Sequence, residues 1–162
     1  DLLSAAEDAL ENDHLQLAQV RYELGNYPGA ETAVEAYLKK VDHPSLKARG
    51  ILLRAKSELA RGAADLAQKT VEQVFLLQPE GSVNGEARIL VGDILAFRKD
   101  WEAAAKAFAA VAVALDDERL TPTALEKAVT AYRSAGREKE ASLQFNKLQS
   151  RFPEWVSSRG LK

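Results

Sequence analysis

Apolar residues recur at intervals of three and four along most of this chain, and that spacing predicts helices rather than strands. Leu17, Val20 and Leu24 fall on one face of a first helix, and Ala30, Val34, Tyr37 and Leu38 on one face of a second. Between them stands Leu24-Gly25-Asn26-Tyr27-Pro28, in which Gly25 closes one helix and Pro28 fits the first turn of the next. The same reading along the chain predicts eight helices, over about 5–24, 27–41, 46–60, 64–78, 85–98, 101–115, 122–135 and 138–151. Start signals are expected at Ser4 with Glu7, a capping-box pattern, and at Thr121-Pro122 or Thr123 with Glu126.

The pattern repeats with a period of 37 residues. Ala30, Ala67, Ala104 and Ala141 are spaced by that interval, and five residues before each stands Gly25, Gly62, Lys99 or Gly136. Four residues after each alanine comes Val34, Val71, Phe108 or Phe145, then Tyr37, Val74, Val111 or Leu148 three further on. Units close at Asp42, Pro79, Asp116 and Pro153, residue types that stop helices or open turns. Four copies without an insertion or deletion predict one all-α domain of four helical hairpins over 1–162. The repeats fall at approximately 5–44, 45–81, 82–118 and 119–155, with a tail from 156 to 162.

Composition agrees with helix. Alanine is the most frequent residue, with 28 copies, and alanine is the best helix former. The 22 basic and 24 acidic residues leave a net charge of −2, too little positive field to gather nucleic acid or an anionic membrane surface. No apolar run has the length of a membrane-spanning helix, so direct membrane insertion is not expected. The chain contains no cysteine, which removes disulfides and thiol chemistry. It contains no methionine either, which suggests a processed protein or a piece of a longer one.

The motif of a glycine, an aromatic two residues on and an alanine three beyond that resembles the tetratricopeptide (TPR) repeat. Gly25-Asn26-Tyr27 followed by Ala30 matches it best. Lys99-Asp100-Trp101 with Ala104 keeps the aromatic but not the glycine, whereas Gly62 and Gly136 keep the glycine and carry Ala64 and Glu138 in the aromatic place. The small residue expected inside each first helix is found as Ala18, Ala55 and Gly92, and Val129 departs from it. The resemblance implies an α-α superhelix, a solenoid of hairpins that binds a protein or peptide on the concave face of its first helices. The 37-residue period and the ending Arg151-Phe152-Pro153 resemble divergent repeats of bacterial envelope proteins. That implies the periplasm or cell envelope as compartment, and self-assembly or stacking within a larger array as an alternative function.

By register, the side chains expected on that face are Gln19 and Tyr22 in the first unit, Arg49, Leu52 and Lys56 in the second, Asp93 and Phe97 in the third, and Thr130 and Arg133 in the fourth. Glu126 and Lys127 share the fourth unit's face. Mixed apolar and charged groups suit peptide recognition, with anchors supplying energy and charges supplying orientation. Leu15 and Gln19 occupy the places where the family's carboxylate clamp has a lysine and an asparagine, so that clamp is not expected.

Catalytic and cofactor chemistry finds no support in the pattern. His14 and His43 lack a second ligand at metal-binding spacing, and Asp116-Asp117-Glu118 lacks the alternation and central glycine of a calcium loop. No phosphate loop and no Ser/His/Asp set is present. Neither enzyme activity nor a cofactor is expected. At the C-terminal end Trp155 and Val156 are the bulky groups able to fold back over Leu143, Phe145 and Leu148 of the last helix; surface they leave bare would suit a homo-oligomer contact.

Overall fold

The computed structural model describes residues 2–161, with side chains from residue 13 onward. Nine helices and no strand are found among the described residues: α1 (Leu2–Glu23), α2 (Tyr27–Leu38), α3 (Pro44–Ala60), α4 (Ala64–Leu76), α5 (Gly81–Phe97), α6 (Trp101–Ala114), α7 (Leu120–Ser134), α8 (Glu138–Arg151) and α9 (Pro153–Arg159). Eight of these match the helices expected from periodicity. The capping pattern at Ser4 and Glu7 lies outside the described side chains.

The chain forms two compact units, residues 1–84 and 85–162. In the first, α1 packs on α2, α2 on α3 and α3 on α4. Its core joins Ala18 of α1 to Ala33 and Val34 of α2 and Leu53 of α3, with Leu15, Tyr22 and Leu38 packed around them. Leu17, Val20 and Leu24, the other apolar row of the first helix, face solvent. Arg61 reaches Glu31 at 2.8 Å and ties the second hairpin's turn to α2. Glu58 is fully buried, its Oε1 accepting from Arg54 Nε at 3.0 Å and its Oε2 without a hydrogen-bond partner.

In the second unit α6 packs on α7, α7 on α8 and α8 on α9. Phe108, Val111, Leu125 and Leu148 anchor its core, and Trp155 and Phe152 pack against it. Gly92 of α5 lies under the Phe108 ring, where a Cβ would come within 2.4 Å of a ring carbon. The repeat alanines Ala30, Ala67, Ala104 and Ala141 are all completely buried, as their spacing requires.

The strongest sign of the repeat is its turn. Gly25, Gly62, Lys99 and Gly136 have φ of 75°, 88°, 62° and 71°, all left-handed. At each, two backbone bonds close the preceding helix: the residue itself donates to the carbonyl three back, and its successor to the carbonyl five back. These are Gly25 to Tyr22 and Asn26 to Arg21, Gly62 to Leu59 and Ala63 to Glu58, Lys99 to Ala96 and Asp100 to Leu95, and Gly136 to Arg133 and Arg137 to Tyr132, at 2.8–3.0 Å. This is the Schellman motif, and glycine favours it because it has no Cβ to clash in the left-handed region. Asn26 and Asp100 then cap α2 and α6 through their side chains, whereas Ala63 and Arg137 make no such bond.

Three boundaries differ from expectation, the first being α5, which opens at Gly81 and not at 85. α7 opens at Leu120 because Asp117, and neither Thr121 nor Thr123, caps it: Asp117 Oδ1 accepts from the N–H of Leu120 at 2.6 Å and of Arg119 at 2.9 Å. Those bonds hold the Asp117 carboxyl below its ordinary range, the Leu120 bond contributing most. Thr121 instead donates to the carbonyl of Leu115 at 2.9 Å. Residues 156–159 belong to α9 and not to a tail, since Pro153 starts a helix and Gly160, at φ 61°, ends it.

Candidate functional site

The nine side chains expected on the open face are divided between the two units. In the first, Leu52 is only 4% exposed and belongs to the core, which corrects its reading as a surface contact; its position in α3 turns it inward. Tyr22 is half-buried against Ala18, Ala33 and Val34, and its ring lies 5.7 Å from that of Tyr27, tilted by 54°. Gln19 and Arg49 are exposed, and Gln19 donates to Glu23 at 2.8 Å. Lys56 is half-buried.

The second unit holds a groove of about 430 Å³ into which α5, α6, α7 and α9 all project. Asp93 and Thr130 line it, joined by Glu126 and Lys127 from the same register. Phe97 is exposed at the end of α5 and Arg133 is exposed beside Glu138, at 3.7 Å; both stand outside the lining. Trp101 and Phe108, which repeat packing alone would account for, supply apolar walls together with Trp155 of α9.

Charge in this groove is arranged in two pairs. Lys127 Nζ reaches Asp93 Oδ1 at 2.7 Å and lies 5.6 Å from the centre of the Phe108 ring. Arg159 lies 3.6 Å from Glu126 Oε2 and stacks at 3.6 Å over the Trp155 ring. Trp155 Nε1 donates to the same Glu126 oxygen at 2.7 Å, so α9 is latched to α7 by a hydrogen bond and an ion pair, while the cation–π contact holds Trp155 and Arg159 together within α9. The side chains of both pairs remain 30 to 46% exposed, open enough to be contacted from solvent.

Glu126 is informative by register. The positions 37 and 74 residues earlier are Ile89 and Leu52, both buried and apolar. Where the repeat changes to a carboxylate, the element facing it brings an indole N–H and a guanidinium. Arg159 had no signal in the repeat; it joins the site because residues 153–159 form a helix, on which Trp155 and Arg159 stand four apart on one face.

The remaining polar residues serve local structure. His43 caps α3 by accepting from the N–H of Ser45 at 3.3 Å, and His14 meets Lys40 at 3.0 Å. Asp116 pairs with Arg151 at 2.9 Å. Among the described residues no group of three His, Asp or Glu side chains is placed to hold a metal ion, and no helix is long and apolar enough to cross a membrane. No protein-family model matches this chain, and no curated protein matches its sequence.

Proposed function

We propose that this chain is a TPR-like interaction domain and that it binds a segment of another protein in the groove between α5, α7 and α9. The observation that carries the reading is the groove itself: three aromatic walls, and two half-exposed cations each held over an aromatic ring. An apolar side chain of the partner packs against Trp101, Phe108 and Trp155, where it is removed from water. The Lys127–Asp93 and Glu126–Arg159 pairs flank that anchor and orient the segment, since charge fixes register more than it adds affinity. The repeat turns and buried alanines support the family reading, because both are what stacked helical hairpins require.

The test is a peptide-display selection on the wild-type protein, with each enriched peptide re-measured on Trp101→Ala and Lys127→Glu. Binding should weaken about tenfold or more in either variant, as expected for loss of an anchor wall or of an orienting charge. Enriched peptides that bind all three proteins alike place the ligand elsewhere and refute the groove.

A further inference from the structure

The groove of the second unit is neutral, and what it still offers a ligand is mainly N–H. Its lining holds four charged side chains, Asp93, Glu126, Lys127 and Arg159, two of each sign and paired with one another. Glu126 Oε2 already receives Trp155 Nε1 at 2.7 Å and faces Arg159 at 3.6 Å, and Asp93 Oδ1 receives Lys127 Nζ at 2.7 Å. The hydroxyls of Thr123 and Thr130 donate to the backbone carbonyls of Arg119 and Glu126. Both cations keep N–H groups beyond those their carboxylates take, since an ammonium has three and a guanidinium five. Trp101 adds another donor: it is a half-buried wall of the groove whose indole N–H has no partner in the protein and is not enclosed.

The aromatic rings narrow the ligand further. Lys127 lies 5.6 Å from the centre of the Phe108 ring and Arg159 3.6 Å from that of Trp155, so each of those rings already holds a cation. A cationic anchor would meet like charge there, and an anionic one would compete with Asp93 or Glu126 for a cation. The segment that fits is uncharged, lays flat apolar groups on the indole wall, and brings carbonyl acceptors with few N–H groups of its own. Proline meets all three needs: its ring is apolar, its nitrogen carries no proton, and its segments hold an extended form with no internal hydrogen bonds, which leaves the carbonyls free. That form exists before binding, so little chain entropy is lost. We propose that the groove takes a proline-rich segment in the polyproline II form, an assignment that rests on the groove being the binding site argued above.

The probe is a fluorescently labelled peptide of about nine residues, proline with two leucines, roughly 28 Å long in this form. Beside it stands the same peptide with alanine for every proline. Anisotropy should show the proline peptide binding, the alanine peptide about tenfold weaker or worse, and little change with added salt, because no net charge is neutralised. Trp101→Phe keeps a ring but removes the N–H and should weaken the proline peptide severalfold; Trp101→Ala should weaken it about tenfold or more. If Trp101→Ala unfolds by circular dichroism, Trp101→Phe decides. An alanine peptide held as tightly as the proline one and lost in the Trp101 variants overturns the proline assignment and leaves the groove as the binding site. Display-selected peptides that depend on Trp101 but contain no proline do the same. No binding of the proline peptide, or binding that ignores both substitutions, also overturns the proposal.

Discussion

Position 99 offers a test of the repeat at a single residue. Lys99 holds φ at 62° in a turn whose three counterparts are glycine. A left-handed L-residue carries strain of about 1–2 kcal/mol, whereas glycine carries almost none there but loses about 0.5–1 kcal/mol more chain entropy on folding. Lys99 is exposed just beyond the end of α5, so its removal also deletes a charge near the helix C-terminus. Comparing Lys99→Gly with Lys99→Ala cancels that charge and leaves the backbone. Glycine should be the more stable of the two by about 0.5–1 kcal/mol, or about 1–4 °C in melting temperature for a chain of this size. The control is Ala110→Gly, at an exposed site inside α6, where glycine should instead cost about 1 kcal/mol. Urea denaturation followed by circular dichroism reads both. If alanine equals or exceeds glycine at 99, the turn is not held in the left-handed form and the shared geometry of the four hairpins falls with it.

Gly92→Ala should destabilise by about 1–3 kcal/mol, because the new methyl enters the space of the buried Phe108 ring; a neutral result in urea would show that α5 and α6 separate freely. Asp117→Ala should cost about 1 kcal/mol at neutral pH through loss of the α7 cap. Because the folded carboxyl titrates below its ordinary value of 3.8, the cap's contribution is complete above that value and fades as pH falls through the folded one. Wild type and variant should therefore converge in acid, as a denaturation series across pH will show. Trp155→Phe keeps an aromatic ring, though a smaller one, but removes the bond to Glu126, and should lower stability by about 1 kcal/mol given the exposure of that carboxylate; an unchanged melting curve would mean the α9 latch adds nothing.

The helices and turns were legible because each rests on local chemistry. Gly25, Gly62 and Gly136 announce a left-handed residue, and the position of Lys99 was recoverable only from the period, since lysine by itself signals no such turn. The start of α7 is not legible because Thr121, Thr123 and Asp117 all have capping side chains, and which one turns toward the free N–H groups is decided by the path of the linker. The burial of Leu52 is hidden for a different reason. A leucine on a first helix reads the same whether its side faces solvent or core, and only the packing around α3 distinguishes them. The groove was half legible: Asp93, Glu126, Lys127 and Thr130 follow from register, but α9 does not, because Pro153 serves as well to end a helix as to begin one.

The uniform turn also bears on how such a chain is able to change over generations. Every hairpin here is closed by bonds of the backbone to itself, so the joint does not depend on which side chains occupy the two helices it connects. A stretch of one period, cut at equivalent points and copied or removed, would bring its own complete joint with it. Length and surface are then free to vary independently, and a binding face is revised one helix at a time while the means of folding back stays constant.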